Sequence, residues 1–329
     1  MSKKVLITGA TGFVGYHLIE KALAAGLEVY CAVRASSDTS HLSDFSIQYL
    51  DLNYRDRDQL ITVLEEHQFS YIIHAAGTTK AKTAEDYNSI NAGYTQNLAL
   101  AAVQAKIKLE KFVFVSSLAA LGPLSDLSLE IQDDKPGHPV TNYGASKLLA
   151  EQYLLEVKEL PLIVIRPTAV YGPREQDIFI LFKSINGGLE PYIGSFKQQL
   201  SFIYVKDLAA VIIQALFSAE TGKSYNVSDG QAYDRYVLAK EVKKALNKKT
   251  FMFHIPIGIV RLMAAGMDLL YSRSKSTPTL NKEKMAELTA VNWACSIEHA
   301  KRDLAYSPKF NLESGIKDTV KWYKENNWL

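Results

Sequence analysis

The sequence predicts an α/β fold: a doubly wound parallel sheet of about seven strands with a smaller, mostly helical C-terminal domain. Three observations predict it. Short apolar runs rich in β-branched residues alternate with helical patterns through the first half of the 329-residue chain. These runs are apolar throughout, as in strands that helices cover on both faces. From residue 229 onward the pattern is mostly helical and richer in lysine.

Six strands are predicted in the first half, at 5–8, 28–34, 47–50, 71–74, 112–115 and 162–165. Two later strands, at 202–205 and 225–227, are expected to return to the same sheet. Long helices are predicted at 83–105 and 141–157. A last helix at 312–322 is expected to bury Ile316, Val320 and Tyr323.

These elements suggest two units. The first is a sheet domain of residues 1–170, rejoined by 202–228. The second is a lid domain built from 171–201 and 229–329. Glycine and proline punctuate the chain from Pro173 to Gly194, where the pattern changes.

Charge and cysteine content exclude several classes of protein. Lys and Arg total 37 against 35 Asp and Glu, so a nucleic-acid partner is not expected. Cys31 and Cys295 are two isolated thiols, which fits a reduced cytoplasm. No metal-ligand spacing occurs, so no metal site is expected. Neither a secretory leader nor a membrane span is expected. The longest apolar stretch, 255–271, contains Arg261 and Asp268 and is short for a span. Whether it packs on the lid or contacts substrate or lipid stays open.

Three glycines at fixed spacing follow the first strand and open the first helix. Gly9, Gly12 and Gly15 allow a sharp turn and a close approach of the backbone to a pyrophosphate. The N-terminus of the helix attracts the same anion. A plain tight turn is the alternative. The position of these glycines at the first strand–helix junction favours a Rossmann-type dinucleotide site.

The end of the second strand bears on the choice of nicotinamide cofactor. Arg34 stands where NAD sites usually carry an acid, and Ser36 and Ser37 follow it. A guanidinium there suits a 2′-phosphate, so NADP is favoured over NAD. The alternative is a solvated loop arginine. Asp51 and Leu52, just after the third strand, are placed to meet the adenine.

A tyrosine and a lysine four residues apart are the candidate residues for acid/base catalysis. Tyr143 and Lys147 fall on one face of a predicted helix, one turn apart. A nearby ammonium lowers the pKa of a phenol, which then exchanges a proton with an alcohol or carbonyl oxygen. Ser117, at the carboxyl end of the fifth strand, is placed to hold the same oxygen.

With these motifs, the chain resembles the extended short-chain dehydrogenase/reductase family, also called the NAD-dependent epimerase/dehydratase family. The resemblance covers nearly the whole chain. The matching stretches are 8–15, 74–77, 115–117, 143–147, 166–173, 205–209 and 225–227. The resemblance implies that Tyr143 is the acid/base and that Lys147 tunes the pKa of Tyr143 and binds the ribose. It also implies that Ser117 positions the substrate and that Asn91 supports Lys147 through water.

The resemblance also completes the expected cofactor site. The residues expected to hold the dinucleotide are Gly9, Thr11, Gly12, Phe13, Val14, Gly15, Arg34, Asp51, Leu52, Ala75, Ala76, Gly77, Tyr143, Lys147, Pro167, Thr168 and Val170. The last three are expected to line the nicotinamide end. Family members often dimerise through two long helices, which implies a homodimer through 83–105 and 141–157.

Departures from the family pattern narrow the expected chemistry. Leu118, Ala119 and Ala120 follow Ser117, where sugar dehydratases carry an Asp–Glu pair. The stretches 198–202 and 292–296 lack the arginines that hold a sugar-nucleotide pyrophosphate in epimerases. Apolar residues near 254–271 are closer to dihydroflavonol-reductase-like and 3β-hydroxysteroid-dehydrogenase-like members.

Three functions remain. The first is an NAD(P)-dependent oxidoreductase that interconverts an alcohol and a ketone on a small-molecule substrate. The second is a nucleotide-sugar 4-epimerase with a retained NAD. A remote third is a dinucleotide-sensing protein without catalysis, which intact Tyr143 and Lys147 disfavour.

Overall fold

The computed structural model describes residues 2–271 and 282–329, so residues 272–281 of the predicted lid lie outside the described residues. The strands are β1 (Lys4–Thr8), β2 (Glu28–Ala32), β3 (Gln48–Leu50), β4 (Tyr71–His74), β5 (Lys111–Val115), β6 (Leu162–Pro167), β7 (Ala169–Tyr171), β8 (Leu189–Ile193), β9 (Gln199–Leu200), β10 (Phe202–Tyr204), β11 (Lys223–Val227), β12 (Tyr233–Asp234) and β13 (Phe251–Ile255).

The helices alternate with the strands in the first half and dominate the last third. They are α1 (Phe13–Ala24), α2 (Arg57–His67), α3 (Ala84–Tyr87), α4 (Tyr94–Gln104), α5 (Asn142–Glu156), α6 (Phe179–Asn186), α7 (Val205–Phe217), α8 (Val237–Leu246), α9 (Ile257–Tyr271), α10 (Lys282–Leu288), α11 (Glu298–Leu304) and α12 (Leu312–Glu325). No described helix combines the length and the apolar character that crossing a bilayer requires.

The main sheet has seven parallel strands in the order β11-β6-β5-β4-β1-β2-β3. The predicted doubly wound α/β fold is therefore confirmed. In the register, Thr8 pairs with Ala32 and with His74, and His74 pairs with Phe114. Because parallel strands end together, the loops after β1, β2, β4, β5 and β6 gather at one edge of the sheet.

The strand predicted at 202–205 does not return to this sheet, so that prediction is wrong. β10 pairs with β7 in a separate two-stranded parallel sheet, and Val205 already begins α7. Only β11 extends the main sheet, beside β6. A run of three apolar residues does not indicate which strand it will pair with. Helix α7, which follows β10, does pack against α1 beside the main sheet. The domain boundaries themselves stay a prediction.

Apolar residues fill both faces of the sheet and a separate core in the second half of the chain. Leu18 and Ile212, from α1 and α7, are fully buried on one face, and Leu64 and Leu98, from α2 and α4, on the other. The lid core joins α6, α8 and α12. Within it the three residues of the predicted tail face are buried: Ile316, Val320 and Tyr323.

The predicted helix at 83–105 is interrupted. α3 and α4 are separated by a π-helical turn, Asn88–Gly93, that holds the buried Asn91. Wider turns of this kind occur mostly as single insertions and often at functional sites. The helix predicted at 141–157 is continuous as α5, and the Thr141 side chain caps it by accepting from the N–H of Gly144.

Candidate functional site

The glycine-rich turn between β1 and α1 is packed too tightly for side chains at two positions. Gly9 has a φ of +70°, and a Cβ on it would lie 2.6 Å from the Ala75 carbonyl oxygen. A Cβ on Gly15 would lie 2.2 Å from the Gly9 carbonyl oxygen. Both residues must therefore be glycine for α1 to start this close to the β1 and β4 ends.

The start of α1 is open toward an anion. Gly12 is the N-cap residue, and no side-chain hydrogen bond caps the helix. The N–H groups of the first turn, from Phe13, Val14 and Gly15, therefore point out of the helix as hydrogen-bond donors. Thr11 lies in the same turn and is partly buried. This geometry fits a dinucleotide pyrophosphate.

The adenosine end is framed by the loops after β2 and β3. Arg34 follows β2 and is exposed, and its backbone N–H donates to Ser37 Oγ at 3.3 Å. Asp51 is exposed just beyond β3, and Leu52 is buried beside it. The structure thus brings Arg34, Asp51 and Leu52 to the same edge as the glycine turn.

The loop after β4 runs against the glycine turn. Ala75 and Ala76 are partly buried, and the Ala76 N–H donates to Thr8 Oγ1 at 3.0 Å. Gly77 is exposed, and a Cβ on it would lie 3.0 Å from Asn91 Oδ1 and 3.4 Å from Lys147 Nζ. This loop therefore connects the phosphate end of the site to the predicted acid/base residues.

Tyr143 and Ser117 lie close together. Ser117 follows β5, and its side chain is near enough to the Tyr143 phenol to lower the phenol pKa. Burial has the larger, opposite effect and raises the pKa of Tyr143 to about 12. The ring of Tyr87 packs edge-on against Tyr143, with centroids 6.4 Å apart.

The expected lowering of the Tyr143 pKa by Lys147 is not present in this structure. Lys147 Nζ donates instead to the Val115 carbonyl oxygen at 2.9 Å and lies 4.7 Å from the centroid of the Phe114 ring. Burial lowers the pKa of Lys147 itself to about 8, although Glu151 opposes this. The buried ammonium is held by the sheet edge rather than aimed at the phenol.

Asn91 anchors the loop after β4. Its Oδ1 accepts the Thr78 N–H at 2.7 Å, and its Nδ2 donates to the Thr78 carbonyl and to Ser146 Oγ, each at 2.9 Å. Ser146 precedes Lys147 on α5. Asn91 thus lies beside Lys147 as the resemblance implies, and the predicted contact through water stays a prediction.

A buried polar chain that the sequence did not reveal links β1 to the π-helical turn. Thr95 Oγ1 donates to the Asn91 carbonyl at 2.7 Å, so it must accept from His74 Nε2 at 2.8 Å. His74 Nδ1 is then an acceptor, 2.8 Å from the Thr8 hydroxyl. Burial lowers the pKa of His74 to about 3, so the ring is neutral at physiological pH.

A second network that sequence reasoning missed lies behind Ser117. Glu151 of α5 accepts from Arg166 of β6, with Nη2 2.6 Å from Oε2, and from the Ser116 hydroxyl. All three residues are buried. Two signals were available: an arginine ends an apolar strand, and Glu151 stands one helical turn after Lys147.

The predicted nicotinamide end lies at the junction of β6 and β7. Pro167 and Thr168 are buried there, and Val170 is partly buried. The Thr168 N–H donates to the Val227 carbonyl at 3.2 Å, whereas Thr168 Oγ1 is buried without a hydrogen-bond partner among the described residues. An orphaned buried hydroxyl at this place fits a polar group of a bound cofactor.

A lid cavity of about 540 Å³ holds cations that the sequence did not place there. It is lined by Leu127, Ser195, Phe196, Lys197, Gln198, Gln199, Asp234, Arg235 and Tyr236. Arg235 is buried, and its guanidinium donates to the carbonyls of Phe196 and Ile193. The stretches 198–202 and 292–296 themselves carry no arginine, and Arg235 reaches this cavity because β12 brings it beside β9. Within residues 2–271 and 282–329, there is no cluster of three or more His, Cys, Asp or Glu side chains that could hold a metal ion.

Known proteins resemble the chain over most of its length. The model of the NAD-dependent epimerase/dehydratase family matches residues 5–228. A ceramide reductase of Caulobacter vibrioides is 28% identical, over 99% of this chain and 96% of that protein. An N-acetyl-alpha-D-glucosaminyl-diphospho-ditrans,octacis-undecaprenol 4-epimerase of Escherichia coli O157:H7 is 30% identical, over 82% and 80%. The crystal structure of a Thermus thermophilus UDP-glucose 4-epimerase with NAD has a TM-score of 0.77 at 23% identity, covering 98% of this chain and 99% of that one.

Gly15→Ala tests the glycine turn. The added methyl meets the Gly9 and Ala10 carbonyl oxygens at 2.2 and 2.7 Å, so α1 must move away and measurable binding of NADP and NAD by calorimetry should disappear. Gly258→Ala is the control, since a Cβ there meets nothing within 4 Å. Unchanged dinucleotide affinity in a folded Gly15→Ala protein would contradict this placement of the phosphates.

Proposed function

The chain belongs to the NAD-dependent epimerase/dehydratase family and is an enzyme, and we propose that it interconverts an alcohol and a ketone by hydride transfer on an apolar substrate. The observation that carries this proposal is the Tyr143–Ser117 pair at the sheet edge. The turn after Ser117, Leu118–Ala120, holds only apolar residues, of which Leu118 and Ala120 are buried. No carboxylate is therefore available in that turn for elimination chemistry.

The chain's own residues supply binding and proton transfer. When bound, the nicotinamide donates or accepts the hydride at its C4. Ser117 Oγ donates a hydrogen bond to the substrate oxygen, and Tyr143 Oη exchanges a proton with that oxygen. Lys147 is close enough to Gly77 to reach a ribose hydroxyl across that glycine.

The protonation state of Tyr143 favours reduction. With a pKa of about 12, the phenol carries its proton at neutral pH. A protonated phenol is the form that donates to the oxygen of a ketone as it becomes an alcohol. Oxidation of the alcohol needs the phenolate, so its rate should rise with pH.

An apolar substrate is supported by two features. Within residues 257–267 of α9, Arg261 is the one charged residue, and isoleucine, leucine and methionine side chains are exposed beside it. The relative named a ceramide reductase is similar over almost the full length of both chains. We therefore propose a ketone on a long-chain lipid as the substrate class.

A nucleotide-sugar 4-epimerase is the second candidate. The observation in its favour is the lid cavity, where Arg235 and Lys197 supply two cations for phosphates. Arg235 already donates to two backbone carbonyls, which weakens this support. Retained NAD in the purified protein, together with binding of a nucleoside-diphosphate sugar, would favour the epimerase.

Tyr143→Phe removes the proposed proton donor. We expect kcat for NADPH-dependent reduction of a ceramide carrying a ketone to fall by about 10²- to 10⁴-fold. Affinity for NADPH should stay nearly the same. Tyr153→Phe, on the same helix, is the matched control. If Tyr143→Phe turns over as fast as the parent enzyme, the assignment fails.

Arg34→Ala tests the proposed preference for NADP. A hydrogen bond to a charged group contributes about 1.5–3 kcal/mol, so kcat/KM with NADPH should fall roughly 10- to 100-fold. The value with NADH should change little, because NADH has no 2′-phosphate. Arg302→Ala, on α11, serves as the control for losing a surface arginine. Equal losses with both cofactors would argue against a role in discrimination.

We further propose a cytoplasmic homodimer that pairs α4 and α5 with their copies. Cys31 and Cys295 are both free and buried, as in a reducing compartment. Leu155 on α5 is 56% exposed, which offers apolar surface to a partner. Light scattering should give twice the 36.7 kDa chain mass at micromolar concentration. A mass of one chain would contradict the dimer.

A further inference from the structure

Helix α9 is apolar on the side that faces away from the protein. Val260 and Ala264 are buried and pack with Met285 of α10. On the opposite side, Ile259, Leu262 and Met263 follow the i, i+3, i+4 spacing of one helical stripe. Leu262 is 75% exposed, and the other two are each 52% exposed. An exposed stripe of three large apolar residues on a helix is a surface that another apolar surface commonly covers.

The two-stranded sheet of β8 and β13 continues this surface. Glu190 and Tyr192 are buried toward the lid core. The alternate residues of β8 and β13 project to the other side of the ribbon, where Ile193 and Ile255 pack against the buried side of α9. Further along that side, Phe251 is 70% exposed and pairs with Leu189, which is 50% exposed.

These exposed apolar residues lie on β8 and on two consecutive elements of the lid, since β13 ends at Ile255 and α9 begins at Ile257. We call them the outer face, and its members are Leu189, Phe251, Phe253, Ile259, Leu262 and Met263. Phe253 is partly buried and stacks on Phe251, with centroids 5.9 Å apart. Isolated exposed apolar residues are ordinary, but a contiguous group of large ones marks an interaction surface.

The charges around the outer face are mainly positive. Residues 248–268 contain Lys248, Lys249 and Arg261 and one acidic residue, Asp268. The two lysines directly precede β13, and Arg261 adjoins Leu262 on α9; all three are exposed. The acid on β8, Glu190, points inward and is paired with Lys243 at 2.7 Å. Exposed apolar side chains bordered mainly by cations are typical of surfaces that lie in the headgroup region of anionic bilayers.

The outer face is one helix away from the predicted acid/base residue. α10 packs against the buried side of α9 through Met285. Glu287, on the same α10, is close enough to Tyr143 for its charge to raise the phenol pKa. A molecule held by the outer face therefore lies next to the elements that border the proposed site.

We propose that the outer face docks this enzyme on the surface of an anionic phospholipid bilayer, with α9 lying in the plane of the headgroups. The docking requires no turnover. The additional step, that a ketone lipid enters the site from that bilayer, rests on the proposed function.

Vesicle sedimentation of the full chain tests the docking. We expect binding to phosphatidylcholine vesicles that contain about 30% phosphatidylglycerol, weaker binding as salt rises, and little binding to phosphatidylcholine alone. Replacing both Lys248 and Lys249 by glutamine should weaken binding to the anionic vesicles about 10- to 30-fold. Leu262→Glu should weaken it at least about tenfold.

Matched controls separate docking from folding and from turnover. Leu129→Glu replaces a leucine that is 54% exposed outside the outer face, so it should bind vesicles like the parent protein. Tyr143→Phe should also bind them normally. If the parent protein binds vesicles but reduces no ketone, the proposed function fails and the docking stands. If it reduces a water-soluble ketone but binds no anionic vesicle, only the docking fails.

Two further outcomes would overturn the docking. One is vesicle binding that neither Leu262→Glu nor the double lysine variant weakens, since another surface would then be responsible. The other is a light-scattering mass that Leu262→Glu lowers, which would assign the outer face to contact with a second copy of the chain.

Discussion

The site depends on a buried chain of hydrogen bonds beneath the carboxyl edge of the sheet. Thr8, His74 and Thr95, all three buried, join the end of β1 to the carbonyl of Asn91. Each donor in the chain has one acceptor, so the neutral His74 is held in a single tautomer. Losing one member would leave its buried neighbours unpaired, which costs about 1–3 kcal/mol for each group. The chain thereby couples the position of the glycine turn to that of Asn91 and of the loop before Lys147.

The ion pair of Glu151 and Arg166 gives the other half of the site comparable rigidity. It joins α5 to β6, and the Ser116 hydroxyl joins β5 to the same carboxylate. Burying two charges is unfavourable unless their geometry and remaining hydrogen bonds are good. Here the guanidinium also donates to the Asp133 carbonyl at 2.7 Å. Ser117 and Tyr143 thus stand on elements that this network holds at fixed separation.

Much of the fold and of the site was predictable, because local pattern determines it. The glycine turn, the Tyr143–Lys147 spacing and most strands follow from residue type and period alone. What could not be predicted depends on distant partners: β10 joins β7, Arg235 reaches the lid cavity, and Lys147 turns to Val115. The π-helical turn at Asn91 was not predicted either, because the periodicity of apolar residues in a helix does not reveal one extra residue in a turn.

We expect hydride to pass from the cofactor to the ketone carbon, which remains reduced in the released product. Reduction of a ketone lipid with NADPH deuterated at C4 tests this most directly, with mass spectrometry of the product. We predict one deuterium on the new carbinol carbon and release of oxidised cofactor into solution. The opposite result is that of an epimerase: the deuterium stays in a dinucleotide that remains bound to the protein, and a sugar is inverted at one carbon. That result would contradict net reduction of a ketone.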